Sequence, residues 1–130
     1  MKKLIVFDLD GTLVDSIGDI ADAVNRSLAQ LGLMPHPVAS YYKMVGDGME
    51  MLCRRALGDE NAAQLDRLVA LYRADYLKNC CEKTKPYPGI LALLEKIKES
   101  GAMAALISNK PQEQTQRVVE EILGTEKFDR

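Results

Sequence analysis

Two aspartates two positions apart, Asp8 and Asp10, close an apolar run, Leu4-Ile5-Val6-Phe7, and are followed at once by Gly11, Thr12, Leu13, Val14 and Asp15. Carboxylates crowded at the end of a buried strand are costly without a cation or other compensation. A hard divalent ion supplies it. Magnesium favours octahedral oxygen ligation by one or two carboxylates, waters and a substrate phosphate, so the pair suits phosphoryl transfer. Residues two apart share a face of a strand, but at its end a turning backbone can bring Asp8 and Asp10 to opposite sides of one phosphorus. The carboxyl ends of parallel strands are also where open α/β sheets bind ligands. Residue usage of ~5–7% per type makes a chance DxDGT in such a chain roughly a one-in-a-thousand event. The plainer reading, in which the acids only cap the next turn and helix, leaves the crowding uncompensated.

The elements that must position this pair follow from the hydrophobic pattern. Residues 3–9, with the apolar run Leu4-Ile5-Val6-Phe7 ended by acids and glycine, predict a strand buried on both faces of a parallel sheet. Asp15 or Ser16 caps a helix whose inner face is Ile17, Ile20, Ala21, Val24, Leu28 and Leu31, stopped by Gly32. One further helix carries Met49, Leu52, Cys53, Ala56 and Leu57 and ends at Gly58; another carries Leu65, Leu68, Val69, Tyr72, Tyr76 and Leu77 to about Asn79. Lys85-Pro86-Tyr87-Pro88-Gly89 is a punctuated boundary, serving as a hinge or a rigid turn, before a helical stripe of Ile90, Leu91, Leu94 and Ile97. Residues 102–107 predict a second buried strand, Ser108-Asn109-Lys110-Pro111 a loop, and Val118, Val119, Ile122 and Leu123 the inner face of a last helix. Phe128 opens a third strand. The order gives an α/β core interrupted by helices: residues 1–14 as core with the first strand and acidic loop, 15–84 as an all-helical insertion, and 85–130 as core continued.

Bulk properties narrow the field. A chain of 130 residues, 47% hydrophobic, supports one ordinary core or a modest core with a small insertion. A formal charge of −2 provides no global field toward nucleic acid or an anionic membrane, so neither is an expected partner. No apolar run approaches the roughly 20 residues of a membrane span, and the N-terminal run meets Asp8 too soon for a secretory signal, which predicts a cytoplasmic protein. Cys53, Cys80 and Cys81 have no zinc-like spacing and read as reduced packing or surface thiols. His36, between two prolines, reads as a loop residue.

The run DLDGTLVDS, residues 8–16, matches the first motif of the haloacid dehalogenase superfamily without departure. The resemblance extends over essentially the whole chain and implies a Rossmannoid parallel-sheet core with an inserted all-helical cap. It implies a phosphatase using magnesium and an aspartyl-phosphate, with Asp8 as nucleophile and metal ligand. Asp10 is implied as general acid and then base, with its backbone carbonyl on the metal. Gly11 and Thr12 belong to the same substrate-binding loop. Ser108 matches the second motif, which bonds the phosphate, although a serine before Asn-Lys-Pro also reads as a helix-capping turn; Asn109 shares that loop. Lys110 either adds positive charge there or is a solvated turn residue.

Val45-Gly46-Asp47-Gly48-Met49 resembles the cap segment of phosphoglycolate phosphatases that faces the active site, which makes Gly46, Asp47 and Gly48 substrate-binding candidates. Its alternative reading is a break between two helices. Arg54 and Arg55 read as surface or salt-bridge residues. The resemblance implies a small phosphorylated metabolite as substrate, with a β-phosphoglucomutase-type phosphotransferase or a non-catalytic phosphate-binding fragment as alternatives. The superfamily's third motif, a lysine, and its fourth, an acidic pair, have no counterpart within the 130 residues. The chain is therefore expected to be an incomplete core, inactive alone, with an exposed apolar edge along residues 4–7.

Overall fold

The computed structural model describes residues 3–129. In chain order the elements are β1 (Leu4–Phe7), β2 (Val14–Asp15), α1 (Ile17–Gln30), α2 (Met49–Leu57), α3 (Leu65–Asn79), β3 (Lys85–Pro86), α4 (Ile90–Glu99), β4 (Met103–Leu106) and α5 (Gln112–Val118). Short 3-10 segments at Val38–Lys43, Asp59–Gln64 and Thr125–Lys127 join them, and α5 runs on into a π turn, Val119–Leu123.

β1 and β4 pair in parallel, Leu4 opposite Met103 through Phe7 opposite Leu106. Their carboxyl ends therefore lie side by side, which brings the loop carrying Asp8 next to the loop carrying Ser108. The expected α/β class, a parallel sheet with helices, holds. Burial of β1 on both faces does not: Leu4 is 60% and Val6 48% exposed, whereas Ile5 and Phe7 are partly covered. Alternation within a strand puts Leu4 and Val6 on one face, and no described element packs over it. Phe128 has extended backbone, and Asp129 donates its N–H to Ala104 O and accepts the Ala104 N–H at its carboxylate, but no third strand forms among the described residues.

α1 forms where the sequence places it, with Ile20, Ala21, Val24 and Leu28 buried at helical spacing. It stops by geometry that needs Gly32: at φ 75°, Gly32 donates to Ala29 O and Leu33 to Leu28 O, a Schellman closure. α1 and α2 both pack on α3. Their buried side chains join Leu9, Leu13, Leu94 and Val118 in one contiguous core. Between the helices and the sheet, β2 and β3 pair antiparallel, Val14 opposite Pro86 and Asp15 opposite Lys85.

His36 is tied into the helices by its N–H to Asn25 Oδ1 (3.0 Å) and a ring nitrogen against Ala56 O (2.6 Å), as a loop anchor. The cysteines are free; burial pushes the Cys53 thiol up to about 12. Among the described residues no helix is long and apolar enough to cross a membrane.

Candidate active site

The acidic loop is shaped by two leucines. Leu9 and Leu13 are fully buried, and the Leu9 carbonyl accepts N–H bonds from Thr12 (3.3 Å), Leu13 (3.0 Å) and Val14 (3.2 Å). Gly11, at φ 80°, provides the left-handed residue this turn requires. With its leucines anchored inward, the loop leaves Asp8 exposed at the strand's end and Asp10 half-buried beyond it. Asp8 Oδ1 accepts the Leu9 N–H at 2.9 Å.

Asp10 is held more firmly. Its Oδ1 accepts the Ser16 hydroxyl at 2.6 Å and the Lys110 ammonium at 3.1 Å. No hydrogen bond to its Oδ2 occurs among the described residues. Ser16 does occupy the N-cap position of α1, but its hydroxyl makes no capping bond and orients Asp10 instead.

The second loop follows β4. Ser108 Oγ accepts the Lys110 N–H at 3.1 Å, a local turn contact of the kind serine makes two residues ahead of an amide. Asn109 Nδ2 reaches across to donate to Gly46 O at 2.8 Å. Lys110 is no solvated turn residue: its side chain is 5% exposed. Its Nζ donates to the Tyr76 hydroxyl and lies 4.1 Å from the centre of the Tyr76 ring, which stacks on Tyr72 at 5.5 Å and 21°. Burial lowers the Lys110 pKa, opposed by the Asp10 charge and hydrogen bond. Burial also raises Tyr76 and Tyr72 well above the usual phenol, with the Asp10 charge adding to it.

The glycine segment before α2 closes the opposite wall. Arg55 clamps it, donating to Met44 O at 3.0 Å and to Asp47 Oδ2 at 2.6 Å, so this arginine serves the loop. Gly48, at φ 90°, lies against the second loop, where an added Cβ would sit in van der Waals contact with Asn109 O at 3.5 Å.

These loops enclose a cavity of about 150 Å³. Seven of the nine residues singled out in the sequence border it: Asp8, Asp10 and Gly11 from one loop, Ser108 and Asn109 from the other, and Gly46 and Gly48 from the glycine segment. Thr12 and Asp47 do not; Thr12 is exposed and Asp47 faces Arg55. Ile17, Ile20, Met49 and Leu52 make part of the wall apolar. Sequence reasoning left Lys110 between a charge at the site and a solvated turn, and missed Ser16, Tyr72 and Tyr76 as site residues. Ser16 lay within the DLDGTLVDS run, while the tyrosines read only as the inner face of a helix.

A magnesium ion fits the donors present. No group of three His, Cys, Asp or Glu side chains able to hold a metal occurs among the described residues. An ion that keeps several waters and takes one or two carboxylates plus a substrate phosphate needs no such group. Asp8, exposed and with its Oδ2 accepting no bond among the described residues, is the side chain suited to it.

The sequence profile of haloacid dehalogenase-like hydrolases matches residues 5–130. The chain is 39% identical over 118 residues to the phosphoglycolate phosphatase of Psychrobacter arcticus, an alignment covering 85% of this chain and 51% of that protein. It is 37% identical over 118 residues to the phosphoglycolate phosphatase of Aquifex aeolicus, covering 91% and 54%. The crystal structure of a predicted phosphoglycolate phosphatase from Haemophilus somnus superimposes with a TM-score of 0.90 at 28% identity, over 98% of this chain and 60% of that one. The chain thus spans about half the length of the curated relatives it matches.

Proposed function

The chain belongs to the haloacid dehalogenase-like hydrolase family, and on that premise we propose that it carries the nucleophile and acid–base half of a magnesium-dependent phosphomonoesterase. One observation supports this above the others: Asp8, Asp10 and Ser108 border a single cavity at the joined carboxyl ends of β1 and β4.

In this reading an Asp8 oxygen attacks phosphorus, and the bond from phosphorus to the leaving oxygen breaks. Asp10 gives its proton to that oxygen. A water then attacks the phosphorus of the aspartyl-phosphate, Asp10 takes the water's proton, and inorganic phosphate leaves with Asp8 restored. A carboxylate nucleophile divides one hard displacement into two easier ones. With Ser16 and Lys110 both on Oδ1, the other Asp10 oxygen is the one left for the proton transfers. Ser108 and Asn109 border the phosphate position, beside the amino end of α5. The Asp8 carboxylate and the Asp10 carbonyl would hold magnesium, which would supply charge neutralisation at the phosphate.

The small cavity limits the leaving group, and Gly46 and Gly48 stand where they contact it. The names of the relatives make 2-phosphoglycolate the first substrate to try. Residues 3–14 and 85–129 act as the core that carries the catalytic loops, and the helices of 15–84 as the cap above it. The test is a phosphate-release screen over small phosphate esters with magnesium, on the full-length product of the reading frame and on its Asp8→Asn variant. The expected result is turnover lost in the variant; undiminished turnover there would remove the covalent mechanism.

A further inference from the structure

An ammonium buried as deeply as that of Lys110 needs partners for its hydrogens, because a charge taken out of water without them is strongly unfavourable. Asp10 Oδ1 is one partner, at 3.1 Å. Tyr76 supplies two more contacts from a different part of the chain: its hydroxyl oxygen accepts from Nζ, and its ring face lies 4.1 Å below the charge. Tyr76 is fully buried and itself held in place, stacked on Tyr72 one helical turn earlier in α3. The same helix is fastened to α5 by Arg73 and Glu113, 2.5 Å apart. Lys110 therefore bridges a residue of the helical segment and an acid of the sheet loop.

We propose that Tyr76 is a positioning residue for the reaction, acting through Lys110 to fix the orientation of the Asp10 carboxylate. This rests on the phosphoryl-transfer reading of the site. Asp10 has two restraints, Ser16 and Lys110, and both fall on the same oxygen. Removing one lets the carboxylate rotate about its last bond, so Oδ2 is no longer aimed at the leaving oxygen. A proton transfer tolerates little misalignment. Tyr76 does not border the cavity, so a change there acts on the chemical step without touching substrate. The arrangement exists only while α3 sits over the second loop, which makes the acid's alignment depend on the seating of the helices.

Tyr76→Phe keeps the ring, the stack on Tyr72 and the cation–π contact, and removes only the hydroxyl. In the full-length product of the reading frame it is expected to lower kcat about 10-fold, the effect of losing one hydrogen bond to a charged group, with KM changed less than about twofold. Tyr76→Leu is expected to lower kcat further. In a Lys110→Met background Tyr76→Phe is expected to cost nothing more, because its route of action is gone. A full additional 10-fold loss there, or unchanged kcat in Tyr76→Phe alone, would overturn the proposal. The contact is also read without substrate, by carbon-13 NMR of labelled lysine. Ring currents shift the Lys110 ε-methylene upfield in the native chain and in Tyr76→Phe, and the shift is lost in Tyr76→Leu. No upfield signal in the native chain overturns the positioning. An upfield signal in a protein without phosphatase turnover leaves the contact standing and overturns the functional reading instead.

Discussion

Thr84 donates both its backbone N–H and its hydroxyl to one oxygen of Asp19, at 2.7 and 2.6 Å. The Lys83 N–H reaches both oxygens of the same carboxylate at 3.1 and 2.9 Å. Asp19 and Thr84 are almost completely buried, so this contact pins the first turn of α1 to the segment entering β3. Asp19→Ala leaves these donors without their acceptor in a place water does not readily reach. The expected loss is about 3 kcal/mol of unfolding free energy, measured by urea denaturation. A loss below about 1 kcal/mol would show that water replaces the carboxylate there.

Arg26 and Asp75 make a second long-range tie, between α1 and α3, through bonds of 2.6, 2.9 and 3.2 Å. Burial pushes the Asp75 carboxyl up, but the hydrogen bonds from Arg26 and Asn79 and the Arg26 charge outweigh it and hold the group below its ordinary value. A carboxyl whose folded pKa lies below its unfolded one stabilises the fold above the unfolded value, and that contribution is lost as pH falls through the folded one. The stability difference between the native chain and Asp75→Asn is therefore expected to be steady near neutrality and to shrink below about pH 4. A double-mutant cycle with Arg26→Ala is expected to give a coupling of about 0.5–1 kcal/mol at pH 7, since the arginine remains partly exposed.

The order of elements was legible because each rests on local pattern. Leu28 at the last inner position of α1, with Gly32 four residues on, marks both a buried face and its end. The acidic loop was legible for a related reason, since Asp8, Asp10 and Gly11 are neighbours in sequence. What pattern does not encode is which distant side chain meets the loop. Lys110 and Tyr76 are 34 residues apart, and a lysine before proline looks solvated until a helix is laid over it. The open face of β1 was hidden similarly, because Leu4 and Val6 have the composition of a two-sided strand while coverage depends on what packs above them.

Arg55 links the glycine segment to α2 through Met44 O and Asp47. Arg55→Ala is expected to free that segment while leaving the inner face of α2, formed by Leu52, Cys53, Ala56 and Leu57, intact. Because Gly46 and Gly48 border the cavity, KM should rise about 5- to 10-fold with kcat less affected. Hydrogen exchange at residues 45–48 should quicken alongside. Gly48→Ala tests the same wall by another route, since an alanine at φ 90° is strained in its own backbone. Unchanged KM in both variants would separate the glycine segment from substrate recognition.

Asp8 and Asp10 are expected to fail in different ways. Attack on phosphorus needs the Asp8 oxygen, so Asp8→Asn forms no covalent intermediate with any ester. Asp10 is needed for attack only when the leaving oxygen must be protonated. A nitrophenyl ester leaves as a stable phenolate, so Asp10→Asn should still be phosphorylated by it and then stall, because no base remains to take the proton of the hydrolytic water. The signature is a burst of one nitrophenol per site, followed by a rate about 100-fold or more below the native steady state. Intact mass should show one added phosphoryl group on the stalled protein. An alkyl phosphate should give Asp10→Asn neither burst nor adduct. Identical behaviour of the two variants toward the nitrophenyl ester would mean that Asp10 shapes the loop around Ser16 and Lys110 without moving a proton.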